Sequence, residues 1–133
     1  MDANNENNRL IIEATNNLPF VDFNNNTGIV IIKGRSYSEN AYTFYSRLNK
    51  WANDYLLSKP KSTHITLAFQ YLNTSSGVQV FNFIRNMQQS KSYGDLLTVE
   101  WGYEEDDDDL LQLGQDFSTA LQLPFEFKVV EFD

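Results

Sequence analysis

The sequence predicts an α/β domain with a mixed sheet of four to six strands and about three helices. Three observations carry this. Two apolar, strand-like segments joined by an Asn/Gly turn come early, as a hairpin. After them, three segments with helical spacing of apolar residues alternate with three strand-like runs, an order that favours parallel pairs under helical cover. Finally, 133 residues of which 41% are apolar, with ten Phe, seven Tyr and two Trp, suffice for one buried core.

Taken in order, residues 1–8 are polar and Asn-rich and are expected to be disordered, and residues 9–133 to form a single domain. Leu10-Ile11-Ile12 is a first short strand, broken by Thr15 to Leu18. Pro19 to Phe23 alternates, with Phe20 facing inward and Val21 and Phe23 as further inward candidates. Asn24 to Gly28 is a turn, because Asn and Gly tolerate positive φ. Gly28 to Gly34 is continuous and β-branched, which suits a strand covered on both faces. Ser36 and Glu39 have the spacing of a capping box, with Ser38 as an alternative cap. From there Ala41, Phe44, Tyr45, Leu48, Ala52 and Tyr55 keep one helical face apolar, and Pro60 follows the end of that helix.

Thr63 to Tyr71 reads as a strand, with Ile65, Leu67 and Phe69 on one face and His64, Thr66, Ala68 and Gln70 on the other. Val80, Phe81, Ile84 and Met87 mark a second helix that runs to about Lys91. Leu96 to Tyr103 is a strand. Leu110, Leu113, Gly114, Phe117 and Leu121 mark a third helix, with Asp106 to Asp109 at or just before its start. Leu123-Pro124 ends it, and Phe125 to Phe132 is the last strand.

A net charge of −8 speaks against nucleic acid as a partner, since phosphate backbones need a basic surface. It equally disfavours an anionic membrane and favours a basic patch on another protein. No cysteine is present, which excludes disulfides, thiol catalysis and Cys-based zinc sites. The polar start lacks the apolar stretch of a signal peptide, and no apolar run approaches a membrane span, so a cytoplasmic location is expected. Catalysis finds no candidate residues: His64 has no neighbouring nucleophile in sequence, and no P-loop, GxGxxG or Gly-x-Ser-x-Gly pattern occurs. The run Glu104 to Asp109 lacks the Asp-x-Asp-x-Asp-Gly spacing of a calcium loop and reads as a solvated acidic helix cap. No metal or cofactor is implied.

The most informative stretch is Tyr71-Leu72-Asn73-Thr74-Ser75-Ser76-Gly77-Val78. Here a buried strand feeds a helix through a very short turn, which leaves hydroxyls at the helix's positive end. A phosphate suits such a place, whether bound or attached to a hydroxyl. Arg35 and Tyr37 also follow a strand end and are expected on the same rim.

The segment Gly34-Arg35-Ser36-Tyr37-Ser38-Glu39-Asn40-Ala41 resembles the Gly-Arg-Ser-Tyr-Pro-Glu-Asn-Ala signature of the SiaC family of regulatory phosphoproteins, with Ser38 in place of the usual proline. Tyr71 to Ser76 is similar to that family's second signature and Glu104 to Asp109 to its acidic segment. Phe20 to Phe23 and Leu123-Pro124-Phe125 also fit, so the likeness spans about residues 9–132. The resemblance implies a STAS-like (anti-sigma factor antagonist-like) fold without enzymatic activity. It further implies reversible phosphorylation of Thr74, with Ser75 and Ser76 as alternative acceptors, by a dedicated serine/threonine kinase and a PP2C-type phosphatase. The effector in the family's best-known pathway is a diguanylate cyclase, bound by the unphosphorylated form. Asn73, Thr74, Ser75, Ser76, Gly77, Arg35 and Tyr37 are the expected partner-binding residues. A phosphate on Thr74 is expected to face the amides of Ser76 and Gly77 and to leave the fold in place. The rival reading is a small-ligand or lipid carrier with an apolar pocket under the first helix.

Overall fold

The structure, a computed structural model, describes residues 8–132. Among these, six strands form one sheet in chain order: β1 (Leu10–Ile12), β2 (Phe20–Asn24), β3 (Ile29–Ser36), β4 (Ser62–Leu72), β5 (Leu96–Tyr103) and β6 (Phe125–Val129). The first three are antiparallel neighbours, and β3 to β6 are parallel. Helices α1 (Ala41–Leu57), α2 (Thr74–Ser90) and α3 (Asp108–Leu121) are the crossovers between the parallel strands. The mixed sheet with three helices expected from the sequence is thus what forms.

Strand order explains the layering. Parallel crossovers are right-handed almost without exception. Each of the three steps to the next strand in the same direction, so all three helices fall on one face and the other stays open. Val21, Phe23, Val30, Ile32, Ile65, Leu67, Phe69, Val99 and Trp101 line the covered face and are fully or almost fully buried. Two expectations need correction on this account. Phe20 pairs with Lys33 on the open face, while Val21 and Phe23 point inward. And β3 is covered on one side only: Ile29 is 42% exposed and Ile31 half-buried.

The helices bury the stripes their spacing marks, with two additions. In α1, Trp51 lies over Phe23 (ring centroids 5.0 Å apart) and stacks on Tyr55 at 4.8 Å. Its Nε1 donates to the Asn8 carbonyl at 2.6 Å, so the chain is already held at Asn8. The rest of the segment expected to be disordered, residues 1–7, lies outside the described residues. In α2, Phe83 is fully buried and stacks on Phe23 at 5.5 Å, whereas Phe81 is half-buried and meets Phe117 of α3.

The start of α1 also differs from expectation. Neither Ser36 nor Ser38 caps it; the N-cap is Asn40, without a side-chain hydrogen bond. Ser36 is the last residue of β3 and faces inward, where its hydroxyl shares a 2.9 Å hydrogen bond with Tyr45 Oη. Ser38 Oγ accepts from the Asn40 amide at 3.0 Å. At the other end of the chain β6 stops at Val129, short of the expected Phe132, although the Val130 amide still donates to the Tyr103 carbonyl at 2.9 Å.

Candidate functional site

The carboxyl ends of β3 and β4 form a rim, and a bulge shapes it. Gly34 pairs with Phe69 but Arg35 pairs with Tyr71, so Gln70 has no partner on β3. A one-residue slip exchanges the faces of everything beyond it. Strict alternation after Ile65, Leu67 and Phe69 would turn Tyr71 inward. Instead Leu72 packs against the core, and Tyr71 is 50% exposed and meets Tyr37 edge-on at 5.4 Å. The Arg35 guanidinium lies 5.4 Å from the Tyr37 ring centroid, a cation–π contact on the surface. Arg35 and Tyr37 therefore sit where the sequence reading placed them, beside the β4–α2 junction, and Tyr71 joins them.

Asn73 fixes that junction from three sides. Its amide donates to the Ser36 carbonyl at 3.1 Å, and its own carbonyl accepts from the Gly77 amide at 2.8 Å. Its Oδ1 accepts from the Ser76 amide at 2.9 Å, a side-chain N-cap. The two amides expected to face a phosphate are thus already taken by Asn73. Among the described residues it is the amides of Thr74 and Ser75 that open the helix without a protein acceptor.

The three hydroxyls after Asn73 have different surroundings. Thr74, the first residue of α2, is exposed, and so is Ser75. Ser76 is fully buried, and its Oγ has no hydrogen-bond partner. That burial separates Ser76 from the two hydroxyls another protein can reach. Gly77 is buried too: a Cβ there would lie 4.0 Å from both Leu72 and Leu113. That is an ordinary packing distance, so the approach of α2 to Leu72 and Leu113 does not itself require a glycine.

Beside Thr74 runs an apolar groove between α2 and α3. It holds about 320 Å³ and is lined by Leu72, Asn73, Thr74, Gly77, Val78, Phe81, Leu113 and Phe117. A separate recess of about 410 Å³ lies between the end of β4 and the start of α3, lined by Tyr71, Leu72, Asp107, Asp109, Leu110 and Leu113. Val78 is 52% exposed on this groove. The sequence reading missed it, yet a signal was present. Val78 and Phe81 fall off the buried stripe of Val80, Ile84 and Met87, three residues apart, as a second apolar stripe would.

At the acidic end, Asp107 is the N-cap of α3, its Oδ1 accepting from the Leu110 amide at 3.0 Å, and Asp108 and Asp109 occupy the first turn. The acidic run is thus a helix start, as read. Among the described residues no group of three His, Asp or Glu side chains is placed to hold a metal ion. His64 lies on the open sheet face, its Nδ1 2.6 Å from Thr98 Oγ1. No helix among the described residues is long and apolar enough to cross a membrane.

Fold and rim together define a one-sided α/β domain with an accessible threonine where a central parallel strand enters its helix. The chain belongs to the SiaC family of regulatory phosphoproteins, whose model matches residues 12–130. A chain in the crystal structure of the diguanylate cyclase SiaD with its activator SiaC from Pseudomonas aeruginosa superposes with a TM-score of 0.83 at 22% identity, covering 91% of this chain and 99% of that one. Apo-SiaC from the same organism gives 0.74 at 22% identity over 92% and 98% of the two chains. An uncharacterized protein of Pseudomonas aeruginosa strain UCBPP-PA14 is 23% identical over 116 residues, 87% of this chain and 92% of its own length.

Proposed function

We propose that this chain is a non-enzymatic cytoplasmic switch that controls a diguanylate cyclase and is itself set by reversible phosphorylation of Thr74. A serine/threonine kinase adds the phosphate and a PP2C-type phosphatase removes it. The observation that carries this reading is the position of Thr74: exposed, first in α2 and on the lip of an apolar groove. Family membership and the fold shared with the activator in the SiaD complex support it.

The local chemistry states what the phosphate would do. It adds about −1.5 to −2 charges at pH 7. At the first position of a helix that charge meets the positive end of the dipole and the open amides of Thr74 and Ser75, so it stabilises the turn. The same group on the lip of the groove must lose its water when an apolar partner seats there, which opposes docking. The fold persists and the surface changes. Ser75 is the alternative acceptor, since it is equally exposed. Arg35 and Tyr37 extend the docking surface on the open side of the rim.

Titration into a diguanylate cyclase of the same organism tests the proposal. The unmodified chain and Thr74→Ala are expected to raise cyclic-di-GMP synthesis, and the phosphorylated chain and Thr74→Asp to fail. A cyclase indifferent to all four forms would remove the effector assignment.

The carrier reading finds little support in the packing. Tyr45, Leu48, Trp51 and Ala52 of α1 are buried against the sheet, and the recess at the end of that helix, lined by Leu56, Met87 and Leu97, holds about 10 Å³, no more than a water.

A further inference from the structure

We infer that two copies of this chain pair through the free edge of β6, antiparallel about a two-fold axis at Phe127. Strand order leaves the sheet two edges, β1 and β6. β1 has three residues, and Arg9 beside it is already held by Asp22 at 2.7 Å. β6 has five, Phe125–Val129. A free edge is a template for another strand. Backbone direction limits how two such edges can meet. The Val130 amide donates to the Tyr103 carbonyl of β5 at 2.9 Å, and successive residues of an edge strand turn their backbone groups to opposite sides. Those of Glu126 and Lys128 therefore turn to β5, and those of Phe127 and Val129 turn outward. Phe125 follows the outward pattern: its amide donates to Ser118 Oγ of α3 at 3.2 Å, not to β5.

Charge selects the register. Antiparallel partners set outward residues opposite outward residues, so an axis that keeps most of β6 paired passes through Glu126, Phe127 or Lys128. The first sets Glu126 against its own copy and the last sets Lys128 against its own. Only the axis at Phe127 sets Glu126 opposite the partner's Lys128, and does so twice. These are the pairs without a backbone hydrogen bond, in which side chains approach most closely and opposite charges stabilise. Phe125 and Phe127 pack on the core, so Glu126 and Lys128 share the open face of the sheet. Among the described residues neither has a salt-bridge partner, and Glu126 stands beside Glu100 of β5. The partner's Lys128 is the cation this pair of glutamates lacks. On the covered face, Val129, 49% exposed, comes to lie against the partner's Phe125. Antiparallel pairing points the two rims in opposite directions, so each Thr74 stays accessible and the dimer is independent of the switch.

Sedimentation of the full chain from micromolar to millimolar concentration tests this, and a monomer–dimer equilibrium is expected. Val129→Pro removes an outward amide, a place where an edge strand tolerates proline, and is expected to abolish the dimer with circular dichroism unchanged. Glu126→Lys and Lys128→Glu, both at exposed positions, are each expected to weaken it about tenfold, since like charges then face each other twice. Net charge alone predicts the opposite for Glu126→Lys, which brings the −8 of the chain nearer zero. Mixed in equal amounts, the two single variants are expected to form a heterodimer, and the double variant to dimerise as the parent chain does. A monomer at every concentration, a dimer that Val129→Pro leaves intact, or a mixture that stays monomeric would overturn the proposal. So would assembly beyond a dimer, because a two-fold axis at β6 closes that edge in one step.

Discussion

At the residue scale, the rim depends on a few side chains whose roles are set by what they touch. Asn73 holds β3, β4 and α2 together, so Asn73→Ala is expected to cost about 1 kcal/mol in chemical denaturation, with faster amide exchange at Ser76, and Asn73→Asp to restore both. Tyr45 carries the β3 side of the same junction. Burial raises its pKa well above that of a free tyrosine, and the Ser36 hydrogen bond only partly opposes this. Because the folded value lies above the unfolded one, the associated stability is complete below about pH 10 and declines as pH rises from there. Tyr55, also raised by burial, acts in the same direction. Tyr45→Phe should therefore flatten the loss of stability in alkali. At neutral pH it should cost about 1–2 kcal/mol, because the buried Ser36 hydroxyl loses its partner. Gly114 reads in the sequence as one more member of an apolar stripe, yet a Cβ there would come within 2.6 Å of the buried Trp101 indole. Gly114→Ala gains about 1 kcal/mol in helix propensity but meets an overpacking cost of up to about 3 kcal/mol. A net loss is expected, read as a lowered Tm.

At the scale of elements, apolar patterning located the helices and strands of the described residues. Stripes at period 3.6 marked the helices, and alternation or short apolar runs such as Leu10–Ile12 and residues 29–32 marked the strands, because these are local properties. Interactions that leave the segment were not legible. Trp51 was missed because its place over Phe23 depends on β2. Ser36 failed as the cap of α1 because it is claimed by Tyr45, a partner nine residues away, while Ser38 accepts from the Asn40 amide just ahead of the helix. The bulge that turns Tyr71 outward has no mark in β4 itself; it lies in the pairing of β4 with β3. The α2 start, in contrast, was readable from Asn73-Thr74-Ser75-Ser76, since a cap is made within one turn. Phosphorylation at Thr74 is expected to leave α2 intact: circular dichroism should be unchanged, and amide exchange in the first turn equal or slower. Melting of α2 would contradict the account of the phosphate as a stabilising charge.

At the scale of the whole molecule, sequential strand order puts three helices on one face, and this distinguishes the fold from sheets whose order reverses and opens a crevice for a ligand. The function proposed here uses the rim and the groove between helices, both of which are surface. The strand-to-helix junction was legible in the sequence. The groove was not, because it exists only once α2 and α3 are brought side by side. The central claim is that Thr74 is the hydroxyl through which this surface is regulated. Its most direct test is mass-spectrometric mapping of the chain and of Thr74→Ala after incubation with a serine/threonine kinase of the same organism. One phosphate on Thr74 and none on the variant is the predicted result. Phosphate retained by Thr74→Ala, on Ser75 or elsewhere, would contradict it.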